Sequence, residues 1–229
     1  MLSGIAIVPS TPLLVPELAG AAAAEVTDLA AAVLAAAAFL PARWAVVGTG
    51  ERDQLWGPDT AGTFAGFGAD VGVRLSPRAH PEPPAELPVC ALLAGWVRGR
   101  VRPDATAEAR IYPAGLDAGT ALARGRDLRA EIDRAPEPIG VLVVADGANT
   151  LTPAAPGGYD PANADAQLVL DDALATGDIA ALTRLPQQIL GRVAFQVLAG
   201  LAEPGPRSAK ELYRGAPYGV GYFAGAWQP

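Results

Sequence analysis

The sequence predicts an α/β fold: one layered domain spanning residues 1–229, with a mostly parallel central sheet flanked by helices. Short apolar runs alternate along the chain with longer segments of helical pattern, which is the order of βαβ units. Residues 139–145 are apolar throughout, as expected for a central strand covered on both faces. Apolar side chains make up 51% of the 229 residues, enough to build a substantial core.

The N-terminal half begins with a short apolar run at 2–8, long enough for a buried strand. Prolines 9, 12 and 16 then impose an extended loop. Pro16 in a first turn, with Glu17 behind it, opens an alanine-rich helix that Pro41 stops. Residues 51–70 are rich in glycine, aspartate and threonine and are predicted to be a long loop. The predicted elements are strands at 2–8, 44–48 and 71–75 and helices at 16–40 and 86–97.

The C-terminal half continues the alternation around the strand at 139–145. A polar, glycine- and proline-rich loop follows it at 146–161. The C-terminus, 211–227, has the pattern of one or two strands, in which Gly219, Gly221 and Gly225 would share one face and admit a close neighbour. The remaining predicted elements are a strand at 109–112 and helices at 117–134, 162–176, 179–184 and 187–201.

Ligands of open α/β sheets bind at the carboxyl ends of the strands. Three predicted loops leave those ends, at 9–16, 48–53 and 146–160. If the chain has a binding cleft, we expect these loops to line it. The polar candidates for the cleft are Ser10, Thr11, Thr49, Asp146, Asn149, Tyr159 and Asp160.

Composition excludes several classes of partner. The net charge is −7 and the basic residues are scattered, which argues against nucleic-acid binding. No window approaches the roughly 18 uninterrupted apolar residues of a membrane span. The N-terminus lacks the positive region of a signal peptide. A single cysteine permits no disulfide within the chain, so we expect a soluble cytoplasmic protein.

His80 is the only histidine and Cys90 the only cysteine. His80 lies among prolines, which favours an extended surface segment with no chemical role. Cys90 lies in an apolar helical pattern and is expected to be a small buried hydrophobe.

Three segments of the chain, at 9–17, 146–160 and 216–223, together resemble one known family, the class III extradiol ring-cleavage dioxygenase B-subunit superfamily, which includes the MEMO-like proteins. Pro-Ser-Thr-Pro-Leu-Leu-Val-Pro-Glu at 9–17 resembles its Pro-His-Pro-Pro-Leu-Leu-Val-Pro-Glu segment. The loop from Asp146 to Asp160 resembles its Gly-Asp-Leu-Ser-His-Arg-Leu-Thr-Pro loop with the Gly-Tyr-Asp ending. Ala-Pro-Tyr-Gly-Val-Gly-Tyr-Phe at 216–223 is similar to its C-terminal strand. The alanine-rich sequence is most similar to a branch from GC-rich bacteria.

The resemblance implies Fe(II) held by two histidines and a glutamate, with a further histidine as acid/base. This chain departs from that pattern at every histidine. Ser10 stands at the first ligand, the turn containing Thr49 at the second, and Asn149 at the catalytic histidine. The glutamate position is not located, although Glu211 precedes the C-terminal strand. Iron is therefore expected of the family and unsupported here, and no cofactor is predicted.

The sequence offers only weak signals for other kinds of chemistry. A hard cation such as Mg²⁺ or Ca²⁺ could be bound by Asp146, Asp160 and carbonyl groups, but such a site would differ from the Fe(II) site that the resemblance implies. A serine triad would need His80 and lacks the Gly-x-Ser-x-Gly turn. Gly-Thr-Gly at 48–50 lacks the rest of a nucleotide-binding loop and is predicted to be a tight turn. The four tryptophans are scattered, which favours core packing.

Asp146, Asn149 and Tyr159 form the most informative polar set. They could hydrogen-bond a small polar or aromatic ligand. Alternatively, Asp146 and Asn149 could tie down a turn through their own backbone, as short Asx side chains readily do. Tyr218 and Tyr222 are expected to pack against the sheet, although they could face the cleft.

Two functional hypotheses follow. The first is a non-catalytic protein that binds a small ligand or another protein in the cleft of a retained dioxygenase-like fold, with a possible homodimer. The second is an enzyme, either a metal-dependent oxidoreductase or a hydrolase, with a rebuilt site using Ser10, Asp146, Asn149 and Asp160.

Overall fold

A computed structural model describes residues 1–80 and 82–229 of the chain, with nine strands and seven α-helices among them. The strands are β1 Leu2–Val8, β2 Arg43–Gly50, β3 Gln54–Trp56, β4 Ala61–Thr63, β5 Gly72–Arg74, β6 Thr106–Pro113, β7 Ile139–Val144, β8 Ser208–Gly215 and β9 Tyr222–Gln228. The helices are α1 Pro16–Ala19, α2 Thr27–Ala37, α3 Val89–Val101, α4 Ala118–Arg134, α5 Asn163–Thr176, α6 Ile179–Leu182 and α7 Arg192–Ala202.

Seven strands form the central sheet in the order β3-β6-β2-β7-β1-β9-β8. The four central strands, β6, β2, β7 and β1, are parallel, whereas β3, β9 and β8 pair antiparallel to their neighbours. The two remaining strands, β4 and β5, form a small antiparallel sheet. The predicted α/β domain with a mostly parallel sheet is confirmed.

Each face of the sheet carries its own layer of helices. Side chains alternate along the buried strands, so Ala6 and Val8 of β1 face α2 and α3, while Ile5 and Ile7 face α4, α5 and α7. The helices α4 and α7 cross closely because each contributes a glycine. A Cβ at Gly125 would meet the carbonyl of Val197, and one at Gly200 would meet the carbonyl of Leu122.

The predicted helix at 16–40 is wrong as one continuous element. It divides into α1, a 3-10 segment at Gly20–Ala24, and α2. Gly20 has a φ of 54°, which interrupts the helix. Alanines 21–24 are exposed or half-buried and bring no large apolar side chain to the core, so burial does not support their helix propensity there. The buried side chain of Val26 then leads into α2.

The predicted loop at 51–70 contains β3 and β4, each of three residues. Both were missed because their stability comes from pairing with β6 and β5 and not from any local apolar alternation. The predicted glycine face of the last strand is also wrong. Gly219, with a φ of 74°, and Gly221 lie in the connection between β8 and β9, and only Gly225 lies in β9.

No helix among the described residues is long and apolar enough to span a membrane.

Candidate functional site

The three predicted loops begin at one edge of the sheet. Val8 at the end of β1 is in register with Val144 at the end of β7, and Val143 is in register with Val47 of β2. Adjacent strands lie about 4.8 Å apart. The register therefore places the residues that follow β1 and β7, and the last residues of β2, side by side at the carboxyl edge.

Asp146 is the acidic group of this edge. It is half-buried, and its Oδ1 accepts a hydrogen bond from the backbone N–H of Ser10 at 2.7 Å. No described residue donates to Oδ2, which leaves that oxygen open to a ligand or to water. Burial raises the pKa of the Asp146 carboxyl to about 6, and the bond from Ser10 opposes the shift only in part.

Thr11 and Tyr222 lie next to Ser10 and Asp146. Thr11 caps the 3-10 turn Pro12–Leu14, and its Oγ1 lies 3.2 Å from the hydroxyl of Tyr222. Burial, more than any other cause, raises the pKa of Tyr222, and the negative charge of Asp146 adds to the shift. Tyr222 therefore packs in the sheet, as predicted, and also contributes its hydroxyl to the polar edge. Tyr218 is also partly buried against the core, and its hydroxyl donates to Glu25 at 2.9 Å.

Thr49 is half-buried near the end of β2, where its carbonyl lies 3.7 Å from the thiol of Cys90. Cys90 is buried, as predicted, and burial raises the pKa of its thiol to about 11. A Cβ at Gly48 would lie 2.5 Å from that sulfur, so the absence of a side chain there lets α3 approach β2. The thiol is a packing group, and its raised pKa keeps it mostly protonated, and therefore weakly nucleophilic, at neutral pH.

Asn149 belongs mainly to the structure of its own loop. Its carbonyl accepts a hydrogen bond from Gly157 N–H at 2.9 Å, and its side chain packs on Gly157. Tyr159 and Asp160 are exposed, and the Asp160 carboxylate accepts from Ala162 N–H ahead of α5. The structure thus brings Ser10, Thr11 and Asp146 together, whereas Asn149 and Asp160 make local turn contacts and Tyr159 lies at the surface.

Sequence reasoning missed a row of buried polar side chains on α5. Asn163, Gln167 and Asp171 follow one another at intervals of four, so they lie on one face of the helix. The spacing of four was visible in the sequence, but the helix at 162–176 was predicted without assigning its polar residues to either face.

This row holds the loop that carries Asp146. Asn163 donates to the hydroxyl of Thr150 at 2.8 Å, and Gln167 Oε1 accepts from Ala148 N–H at 2.8 Å. Gln167 Nε2 donates to Asp171 at 2.8 Å. Burial raises the pKa of Asp171 to about 6, and the hydrogen bond from Gln167 opposes that shift.

The connection between β8 and β9 supports the loop from its other side. Gly147 donates to Gly221 and Gly221 donates to Ala148, both at 2.8 Å, while Leu151 donates to Gly219 at 3.0 Å. A Cβ at Gly147 or at Gly221 would collide with the amide of Gln167. Because neither glycine has a side chain, the Gln167 amide fits beside both of them and accepts the hydrogen bond from Ala148 N–H.

The side chains at this edge do not suit Fe(II). Ser10 and Thr49 offer neutral hydroxyls, Asn149 offers an amide, and Asp146 supplies the only carboxylate among them. Glu211, on β8, is ion-paired with Arg214 at the outer side of the sheet. His80 is exposed. Over 1–80 and 82–229, no three His, Cys, Asp or Glu side chains form a group that could hold a metal ion.

Four surface cavities of about 190 to about 310 Å³ are lined by residues other than these candidates. The polar edge is distinguished by its hydrogen bonding and by the partly buried carboxyl group of Asp146.

Comparison with known proteins supports the fold. No family model matches the chain, and no curated protein matches it. Among solved structures, the chain is similar to an uncharacterized protein, JW3007, from Escherichia coli K12, with a TM-score of 0.58 and 10% sequence identity. The match covers 98% of this chain and 99% of that one. At this identity the similarity shows the shared architecture alone.

Proposed function

We propose that the chain is a non-catalytic protein that binds a small polar ligand at the carboxyl edge of a fold like that of the class III extradiol dioxygenase B subunits. The observation that carries the proposal is the half-buried carboxylate of Asp146, fixed through Oδ1 by Ser10 N–H and open at Oδ2. A buried carboxylate with a free oxygen is poorly solvated, so it gains from a ligand that donates a hydrogen bond.

The expected ligand is neutral or cationic and carries an N–H or O–H group. An anionic ligand would be repelled by Asp146 once that carboxyl is ionised. The nearby hydroxyls of Thr11 and Tyr222 can orient a second polar group of the ligand.

Ring cleavage is not part of the proposal because its chemistry requires imidazole groups that are missing. The segments that resemble the dioxygenases keep their place in the chain, while Ser10, Thr49 and Asn149 stand where the histidines are expected. Because the loops resemble those of the family but lack its metal-binding and catalytic histidines, they favour a similar fold with a different function.

A second candidate, an enzyme with a rebuilt site, is favoured by one observation. A carboxyl whose pKa is about 6 can accept a proton near neutral pH, as a general base does. In that case Asp146 would be the base, and Ser10 and Thr11 would position the substrate.

Iron content and ring cleavage test the first candidate against dioxygenase activity. Protein purified without chelator should contain no stoichiometric iron. Anaerobic addition of Fe(II) followed by protocatechuate and oxygen should give no oxygen consumption above that of buffer. Stoichiometric iron with turnover of protocatechuate would overturn the proposal.

Thermal-shift titration with catechol, benzylamine and protocatechuate tests the binding site. Catechol and benzylamine should stabilise the protein more than anionic protocatechuate, and Asp146→Asn should remove that difference. The exposed Asp59→Asn is the matched control and should behave as the unaltered chain. Conversion of a probe to product that is lost in Asp146→Asn would favour the enzyme.

We further propose that the protein acts in the cytoplasm as a homodimer. Its single cysteine is buried and free, which suits a reducing compartment. Over the described residues, no strand pairs with the outer side of β8, so that edge is open to a second copy.

A further inference from the structure

An open groove of about 300 Å³ lies between β5 and the second half of α3. Three arginines line it: Arg74 from β5, and Arg98 and Arg100 from α3. No aspartate or glutamate lines it. In a chain with a net charge of −7, this is a local concentration of positive charge.

The three guanidinium groups have no acidic partners within the part of the chain that the structure describes. Six arginines outside the groove form ion pairs with carboxylates of the described residues; for example, Arg126 lies 2.7 Å from Glu203, and Arg214 lies 2.8 Å from Asp172. Other arginines, such as the exposed Arg184, form no ion pair within the described ranges but do not line this groove. None of the groove arginines forms such an ion pair. Unpaired like charges brought together in one groove favour an anionic ligand.

Arg98 forms the inner wall and is held rigidly. It is 5% exposed, and its Nε donates to the Arg74 carbonyl at 2.9 Å. Its Nη1 donates to the carbonyls of Pro103 and Ala105 at 2.6 and 3.1 Å, whereas Nη2 has no acceptor among the described residues. Burial, and then the charge of Arg74, lower the pKa of Arg98, while Asp104 opposes the shift.

Arg100 is positioned by an aromatic ring. Its guanidinium carbon lies 5.1 Å from the centre of the Trp96 ring, within the range of a cation–π contact. Gly72 and Gly99 leave the groove open, since a Cβ at either would meet nothing within 4 Å. The groove is therefore both charged and accessible.

Basic residues in the last turn of a helix also stabilise the helix dipole, and this accounts in part for Arg98 and Arg100. It does not account for Arg74, which comes from a different element and approaches the same groove. We propose that Arg74, Arg98 and Arg100 bind a phosphate group of a small anionic molecule. Planar guanidinium groups donate paired hydrogen bonds to phosphate oxygens, and several of them match its multiple charge.

This groove is separate from the Asp146 edge. Cys90, in the first turn of α3, lies beside Thr49, whereas Arg98 and Arg100 lie eight and ten residues further along the helix. At 1.5 Å per residue the separation along the axis is about 12 to 15 Å. The two sites can therefore be tested independently.

Calorimetric titration with inorganic phosphate and with pyrophosphate tests the groove. We expect saturable 1:1 binding of pyrophosphate that weakens as NaCl is raised. Arg74→Gln and Arg100→Gln should each weaken binding by about tenfold, the usual effect of losing one charge-assisted contact. Arg184→Gln removes the same charge from an exposed position outside the groove and should bind as the unaltered chain does.

Sedimentation with phosphatidylcholine vesicles, with and without phosphatidylinositol monophosphate, identifies the source of the phosphate. Binding of soluble pyrophosphate indicates a free metabolite, and binding only to the phosphoinositide vesicles indicates a lipid headgroup. Either outcome, if sensitive to Arg74→Gln and Arg100→Gln, supports the groove. The proposal is overturned if neither the titration nor the sedimentation shows binding, or if neither substitution weakens the binding that is seen. Asp146→Asn should leave pyrophosphate binding unchanged.

Discussion

Asp146 shows at the scale of one residue how a candidate site reduces stability. Its carboxyl is half-buried at the end of the sheet and receives one hydrogen bond, from Ser10 N–H. Because the pKa is raised to about 6, the ionised form is less stable in the folded protein than in the unfolded chain. A group that lowers stability at neutral pH is typical of a functional position.

The pH dependence of this effect has a definite sign. Between pH 4 and about 6 the folded protein keeps the Asp146 proton that the unfolded chain has released. The free energy of unfolding therefore falls as the pH rises through this window. Asp146→Asn keeps an oxygen acceptor for Ser10 and carries no charge.

We expect Asp146→Asn to raise the free energy of unfolding by about 1–2 kcal/mol at pH 7.5 and to change it little at pH 4. Urea denaturation at both values measures the difference. The exposed Asp59→Asn should have no effect at either pH. A loss of stability in Asp146→Asn at pH 7.5 would show that the carboxylate is better stabilised than its burial indicates.

At the scale of an element, α5 is the support of the candidate loop. Its inner face carries Asn163, Gln167 and Asp171, which are all buried. Gln167 reaches between two glycines and satisfies Ala148 N–H. An unsatisfied buried N–H costs about 1–3 kcal/mol, so this side chain makes a substantial contribution to holding the loop behind Asp146.

Gln167→Ala should lower the free energy of unfolding by about 2–3 kcal/mol, since it leaves Ala148 N–H and Asp171 without a partner. Hydrogen exchange measured by NMR should show faster exchange of the Ala148 amide, while the amides of β1 stay protected. The exposed Gln188→Ala is the control and should change neither quantity. An unchanged Ala148 exchange rate would mean that the loop is held by its contacts with Gly219 and Gly221 instead.

At the scale of the whole molecule, the sheet has one long open edge. The strand β8 has eight residues and pairs only with β9 among the described strands. A shift of register between Glu211 and Tyr213 bends it and shortens the stretch that a second copy could pair with. We therefore expect a dimer of moderate affinity.

Light scattering after size exclusion should give a mass near twice the 23.3 kDa of one chain at high protein concentration and a lower mass on dilution. The amides of β8 should exchange more slowly as concentration rises, with those of α4 as the internal reference. A mass of one chain at every concentration would exclude this dimer.

The sequence by itself determined the layered α/β fold, because apolar runs buried on both faces must be strands of a covered sheet, as at 139–145. It also placed Ser10 and Asp146 at the ends of strands, and their hydrogen bond follows from the register of β1 and β7. It could not identify β3 and β4, which depend on pairing with distant partners. Nor could it show which side chains of the 146–160 loop turn outward.

Only the tertiary structure decided the rest. Gln167 acts on Ala148 because α5 folds back against the loop, and the groove arginines meet because β5 packs on α3. Local sequence fixes which side chains share a face of one element. Contacts between elements depend on how the whole chain packs, and a local sequence pattern carries no information about that packing.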